Sequence, residues 1–183
     1  AEFLAKFRTA PDGSTLVVAL VTGTRAFTAW LGDSRAVMCR ESSGGEIITV
    51  ALTEDHRPGH PAEAERVKKA GGEIVNLDGC ARVAHAGFDE KVRDIRRAKS
   101  QGLGTIAKEP VALAVSRSLG DREFKAVTGK ALLSATPSVR SFQLNRSCKF
   151  MALMCDGIPD VMRNEEVVFD LNFVRDAKDA AAN

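Results

Sequence analysis

The sequence predicts an α+β domain built on antiparallel strands. Three observations carry this: strand-length apolar segments separated by very short turns, one strongly punctuated helix in mid-chain, and further strand segments towards the end. Residues 15–21, 25–31, 35–40 and 46–51 have strand patterns, with turns at Thr22-Gly23-Thr24, Gly32-Asp33-Ser34 and residues 41–45. Connections of this length join antiparallel neighbours, because a parallel pair needs a crossover of about a dozen residues or more. The first third therefore reads as a four-stranded meander.

The pattern changes at residues 61–70. Pro61 suits a first helical position, Glu63 and Glu65 complement the positive end of a helix dipole, Lys68 and Lys69 the negative end, and Gly71-Gly72 stops it. Residues 73–76 resume a strand. Residues 88–99 form a second helix whose apolar stripe, Val92, Ile95 and Ala98, is thin. Strands are expected at 111–115, 139–144 and 149–155, a loop at 120–137, a short helix at 2–8 and a last helix from about Pro159.

Composition narrows the functional classes. A chain of 183 residues that is 44% hydrophobic and 27% charged can bury a sizeable core, and a net charge of +2 is too small to point to nucleic acid or an anionic membrane. The longest apolar runs, residues 16–21 and 150–155, fall far short of the roughly 18 residues of a membrane span. Cys39, Cys80, Cys148 and Cys155 form no close pairs, as expected of free thiols in a reducing, cytoplasmic or nuclear setting.

Two aspartates stand out. Asp156 ends the apolar run Phe150-Met151-Ala152-Leu153-Met154-Cys155 and precedes Gly157. A carboxylate at the mouth of a buried strand either caps a following helix or holds a hard cation. Asp33, in Gly32-Asp33-Ser34-Arg35, is either a turn aspartate bonded to its own backbone or a second ligand brought near Asp156 by the sheet. Two such carboxylates repel unless a cation or proton lies between them. His56 and His60 flank Pro58 and precede Pro61, so no helical zinc motif forms, and structural hydrogen bonds are expected there, while His85 stands alone. No cysteine is followed six residues later by the arginine that a cysteine-nucleophile phosphatase needs, since those positions hold Gly45, Ala86, Met154 and Val161. The basic stretch with Arg82, Lys91, Arg93, Arg96, Arg97 and Lys99 reads as a solvated helix face or as a surface for acidic or phosphorylated partners.

The motifs, taken in order, go further. Gly13-Ser14-Thr15, Gly32-Asp33-Ser34-Arg35-Ala36-Val37, Leu52-Thr53-Glu54-Asp55-His56-Arg57-Pro58, Glu65-Arg66-Val67 with Ala70-Gly71-Gly72, Leu113-Ala114-Val115-Ser116-Arg117-Ser118-Leu119-Gly120-Asp121 and Cys155-Asp156-Gly157-Ile158-Pro159-Asp160-Val161-Met162 resemble the type 2C metal-dependent serine/threonine protein phosphatases. The resemblance covers nearly all of residues 12–168. It implies a β-sandwich of two mostly antiparallel sheets flanked by helices, and hydrolysis of phosphoserine and phosphothreonine by a metal-activated water. It further implies magnesium or manganese, two or three ions in the complete site, with Asp156 matching a carboxylate of the binuclear centre and Asp33 its partner at a third metal.

The resemblance is incomplete. The family's arginine and glutamate-aspartate motif and its Asp-Gly-His-Gly-Gly motif belong upstream of Gly13, and its Asp-Asn motif downstream of the last helix; none occurs in residues 1–183. The chain is accordingly expected to be a partial catalytic domain, active only with ligands from outside it, and a pseudophosphatase or regulatory scaffold stands as the alternative. Pro159 replaces the family's usual tryptophan. Residues 84–110 form an insert near the flap that borders the cleft in this family. A monomer acting on a phosphoprotein substrate is expected.

Overall fold

A computed structural model of the chain describes residues 11–102, 109–125 and 130–174, so the helix expected at 2–8 lies outside the described residues. The elements run β1 (Gly13–Ser14), β2 (Leu16–Thr22), β3 (Arg25–Leu31), β4 (Arg35–Glu41), β5 (Ile47–Ala51), α1 (Pro61–Lys69), β6 (Gly72–Leu77) and β7 (Cys80–His85). They continue with α2 (Phe88–Ser100), β8 (Leu119–Gly120), a 3-10 turn (Arg122–Phe124), β9 (Ser138–Gln143), β10 (Cys148–Met154) and α3 (Asn164–Asn172). Two compact units result, residues 11–14 with 56–135 and residues 15–55 with 136–174.

The second of these units holds two three-stranded antiparallel sheets, ordered β2-β3-β9 and β10-β4-β5. The expected four-stranded meander is thus corrected: β2–β3 and β4–β5 pair, but β3 takes β9 and β4 takes β10. Gly32, at φ +84°, lies where the chain leaves one sheet for the other. The reason lies in β4, where Ala36, Val37, Met38 and Cys39 are all buried, so both faces need cover. On one face Ala36, Met38 and Leu52 pack with Val17, Val50, Phe142 and Met151, which come from both sheets. On the other, Val37 and Cys39 pack against Val168 of α3. Burial raises the pKa of the Cys39 thiol, and Cys155, at the strand end, is exposed; all four cysteines are free.

α3 begins at Asn164 rather than near Pro159. Residues 155–162 instead make overlapping turns, among them Asp160 N–H to Asp156 O at 3.0 Å. The helix starts where Glu165 and Glu166 favour its dipole and the Glu166 carboxylate accepts from the Arg163 N–H at 2.7 Å.

In the other unit, β6 and β7 form a hairpin closed by Asp78-Gly79, both at positive φ. Sequence reading found β6 but not β7, although an Asp-Gly pair between apolar runs is a strong hairpin signal. The strand expected at 111–115 is absent: Leu113 alone bridges to Val83, and by Ser116 the chain has turned away, its N–H and Oγ both donating to His56 O. Val67 of α1 packs with Val83, Phe124, Leu132 and Leu133, while Phe88 of α2 packs with Val75 and Ala84. His85 bonds Glu123 O at 3.0 Å and lies against Phe124, a structural role.

Glu63 departs from its sequence reading. It is 5% exposed, turned inward, and accepts hydrogen bonds from Arg117 (3.0 Å from Nε) and Arg66 (3.1 Å from Nη2). Arg66 also donates to Ser116 O at 2.7 Å and Leu132 O at 3.0 Å, tying α1 to the Ser-Arg-Ser segment and to the chain after it. Burial pushes the Glu63 carboxyl up, but the bonds from Arg117 and Ser116 and the charge of Arg66 outweigh it and bring it down from 4.5 to about 2. A carboxyl that titrates lower when folded contributes fully above about pH 4.5 and loses that contribution as pH falls towards about 2. Glu63→Gln is therefore expected to destabilise the protein at neutral pH by on the order of 2–3 kcal/mol. In urea titrations the gap between parent and variant narrows as pH is lowered through that window.

Candidate metal centre

The site is built at one end of the β4–β10 pair. The ladder runs antiparallel from Cys148 opposite Arg40 to Met154 opposite Arg35. Asp33 lies two residues before Arg35 and Asp156 two residues after Met154, so the two aspartates leave the same end of the same strand pair. They occupy the positions that would face each other if the ladder were extended by two residues. Sequence separation of this size is bridged only because β4 and β10 pair.

Their surroundings differ. Asp33 is 7% exposed, whereas Asp156 is exposed and its carboxylate has no hydrogen-bond or ion-pair partner among the described residues. The capping role weighed for Asp156 is not seen, since α3 starts eight residues later.

The residues around Asp33 are held by segment 52–55. Ala36 N–H donates to Thr53 Oγ1 at 2.9 Å, Leu52 N–H to Ala36 O at 2.9 Å, and Trp30 Nε1 to Glu54 O at 2.6 Å. Arg35 grips Asp55 through two bonds of 2.7 and 2.8 Å and reaches Asn164 Oδ1 at 3.3 Å. Ser34 shares a 2.8 Å hydroxyl contact with Thr15. Segment 52–55 carries four residues of a motif singled out from the sequence, and its work here is structural. It fixes the strand that presents Asp33.

Chemically, the pair offers hard oxygen donors, the type that magnesium and manganese prefer. Among the described residues no group of three or more histidine, cysteine, aspartate or glutamate side chains is placed to hold a metal. Asp33 and Asp156 are two carboxylates of that kind at one strand-pair end. Sequence reading missed the buried Glu63–Arg66–Arg117 network, for which the local signal was the three-residue spacing of Glu63 and Arg66 on one helix.

Comparison with known proteins gives this α+β fold its family. The family profile of Protein phosphatase 2C matches residues 4–181. Probable protein phosphatase 2C 61 of Arabidopsis thaliana is 34% identical over 156 residues, covering 85% of this chain and 41% of that protein. Protein phosphatase 1B of Mus musculus is 35% identical over 160 residues, covering 85% and 32%. Among solved structures, serine-threonine phosphatase 2C from Toxoplasma gondii superposes with a TM-score of 0.74 at 27% identity, covering 92% of this chain and 49% of that one. A C. elegans sex determining protein gives 0.65 at 26% identity, covering 93% and 33%. The chain belongs to the Protein phosphatase 2C family. It spans about a third to two-fifths of the length of these curated relatives.

The Arg35 grip has a measurable consequence. Both partners are largely buried, with side-chain exposures of 26% and 13%, so Arg35→Ala is expected to cost about 1–3 kcal/mol in urea denaturation of the full-length protein. Lys69→Ala, which removes a pair to Glu65 that is 69% and 66% exposed, leaves the midpoint unchanged.

Proposed function

We propose that this chain is the central and C-terminal part of a protein serine/threonine phosphatase domain, in which Asp33 and Asp156 help to hold the divalent ions of the active site. The observation that carries the reading is the shared strand-pair end of the two aspartates. Family membership supports it, since the family is metal-dependent. The remaining ligands are assigned to parts of the longer protein that the relatives' lengths point to. Magnesium or manganese suits an all-oxygen set.

Each residue has a task that follows from its setting. Asp33, nearly buried and braced through Ser34 and Arg35, is the fixed donor. Asp156, exposed and free of other partners among the described residues, is the donor turned to solvent. Bound divalent ions supply an acidified water and neutralise charge on the phosphoryl oxygens, which removes the need for an enzyme nucleophile. Phosphoserine and phosphothreonine side chains of proteins are the substrates under this reading.

Two experiments test it on the full-length protein. Phosphate release from a phosphothreonine peptide is expected to require magnesium or manganese, to stop with chelator, and to fall at least about 100-fold in Asp156→Asn. Metal-independent turnover, or an unaffected Asp156→Asn enzyme, sinks the assignment. Separately, manganese is expected to raise the melting temperature of the parent protein, as any ligand that binds only the folded state does, and to raise it less in Asp33→Asn. An equal rise in both would remove Asp33 from the site.

A further inference from the structure

The outward side of α2 carries three arginines whose side chains form no ion pair or hydrogen bond with any other described residue. Arg93, Arg96 and Arg97 are exposed and stand three and four residues apart, which places them on one helix face. None of their guanidinium groups has an ion-pair or hydrogen-bond partner among the described residues, although Asp89, Glu90 and Asp94 lie on the same helix. The helix dipole accounts for Arg97 and Lys99 in the last turn. It does not account for Arg93, nor for three like charges at spacings where they repel.

An apolar groove of about 340 Å³ runs beside this face, floored by Leu77, Val92, Ile95 and Pro110 and rimmed by Arg96 and Lys99. Its acid, Glu109, is taken up by an ion pair with Lys99. Arg82 faces the same side of the β6–β7 hairpin as Val75 and Leu77, and its buried Nε has no hydrogen-bond partner.

We infer that this surface docks an acidic peptide segment of a partner protein, with one apolar side chain in the groove and flanking carboxylates on Arg93, Arg96 and Arg97. A groove of this volume takes a side chain rather than a flat surface. Helix positions 93 and 97 lie about 6 Å apart along the axis, close to the spacing of alternate residues in an extended peptide. The net charge of only +2 means that the attraction is local to this face rather than a property of the whole chain. Naming the partner as the phosphoprotein substrate rests on the phosphatase reading; the docking surface itself does not.

The test uses full-length protein and fluorescein-labelled twelve-residue peptides rich in glutamate around one leucine. Fluorescence anisotropy is expected to show binding that weakens with added salt, and that drops about tenfold or more when the glutamates become glutamine or the leucine becomes serine. The triple variant Arg93→Glu, Arg96→Glu, Arg97→Glu is expected to lose a similar factor while hydrolysing p-nitrophenyl phosphate as the parent does. Equal binding of the glutamine peptide, or undiminished binding by a folded triple variant, overturns the inference. So does arginine-dependent capture by phosphatidylserine vesicles without peptide binding. The peptide series on the parent protein decides the matter even if the variant fails to fold. Arginine-dependent peptide binding by a protein that releases no phosphate counts against the phosphatase reading and leaves docking standing.

Discussion

The antiparallel pairing of β4 with β10 is the constraint on which the rest of the sandwich unit depends. β4 is the middle strand of its sheet, and four consecutive residues, Ala36 to Cys39, are buried. Such a strand cannot face water on either side. The second sheet closes one face and α3 the other, and the strand pair is thereby fixed in register to its last residue. A carboxylate placed just past each strand end then inherits a defined position. Desolvated apolar area holds the pair in place, and it does so far more cheaply than a dedicated polar scaffold could.

Polar contacts in this chain serve mostly to fasten segments that lack regular structure. Segment 52–55 has no secondary structure beyond the end of β5, yet it accepts hydrogen bonds from Thr28, Trp30, Arg35 and Ala36 of β3 and β4, and Leu52 N–H donates back to Ala36 O. In the other unit, buried Glu63 gathers Arg117 and Arg66, and Arg66 caps two carbonyl groups of chain that forms no ladder there. Lys125 does the same for Ser118 O and Leu133 O, at 2.8 and 3.1 Å, and burial lowers its pKa to about 8. Irregular backbone can be buried only if its carbonyl and N–H groups find partners. Charged side chains supply them here, so their placement follows the loops. Against that background, the arginines of α2 that fasten nothing stand apart.

Much of the architecture is written locally. Strand and helix segments were legible wherever periodicity and punctuation agreed, as at β3, β4, α1 and α2. Where they failed, a longer-range requirement had overruled the local pattern. Residues 111–115 have strand composition but only Leu113 finds a partner, because Ser116 is drawn to His56 O. Pro159 suits a helix start, yet the helix waits for the acids at 165 and 166.

By itself the sequence determined most of the elements, the β2–β3 and β4–β5 connections, and the family, because turn chemistry, side-chain period and ordered motifs act over a few residues each. It also marked Asp33 and Asp156 as carboxylates at strand ends. Which strands pair was decided only in three dimensions: whether β3 takes β4 or β9 depends on which arrangement covers both faces of β4, a comparison no local window contains. The common position of the two aspartates and the inward turn of Glu63 followed from that choice, since both depend on what lies across the core.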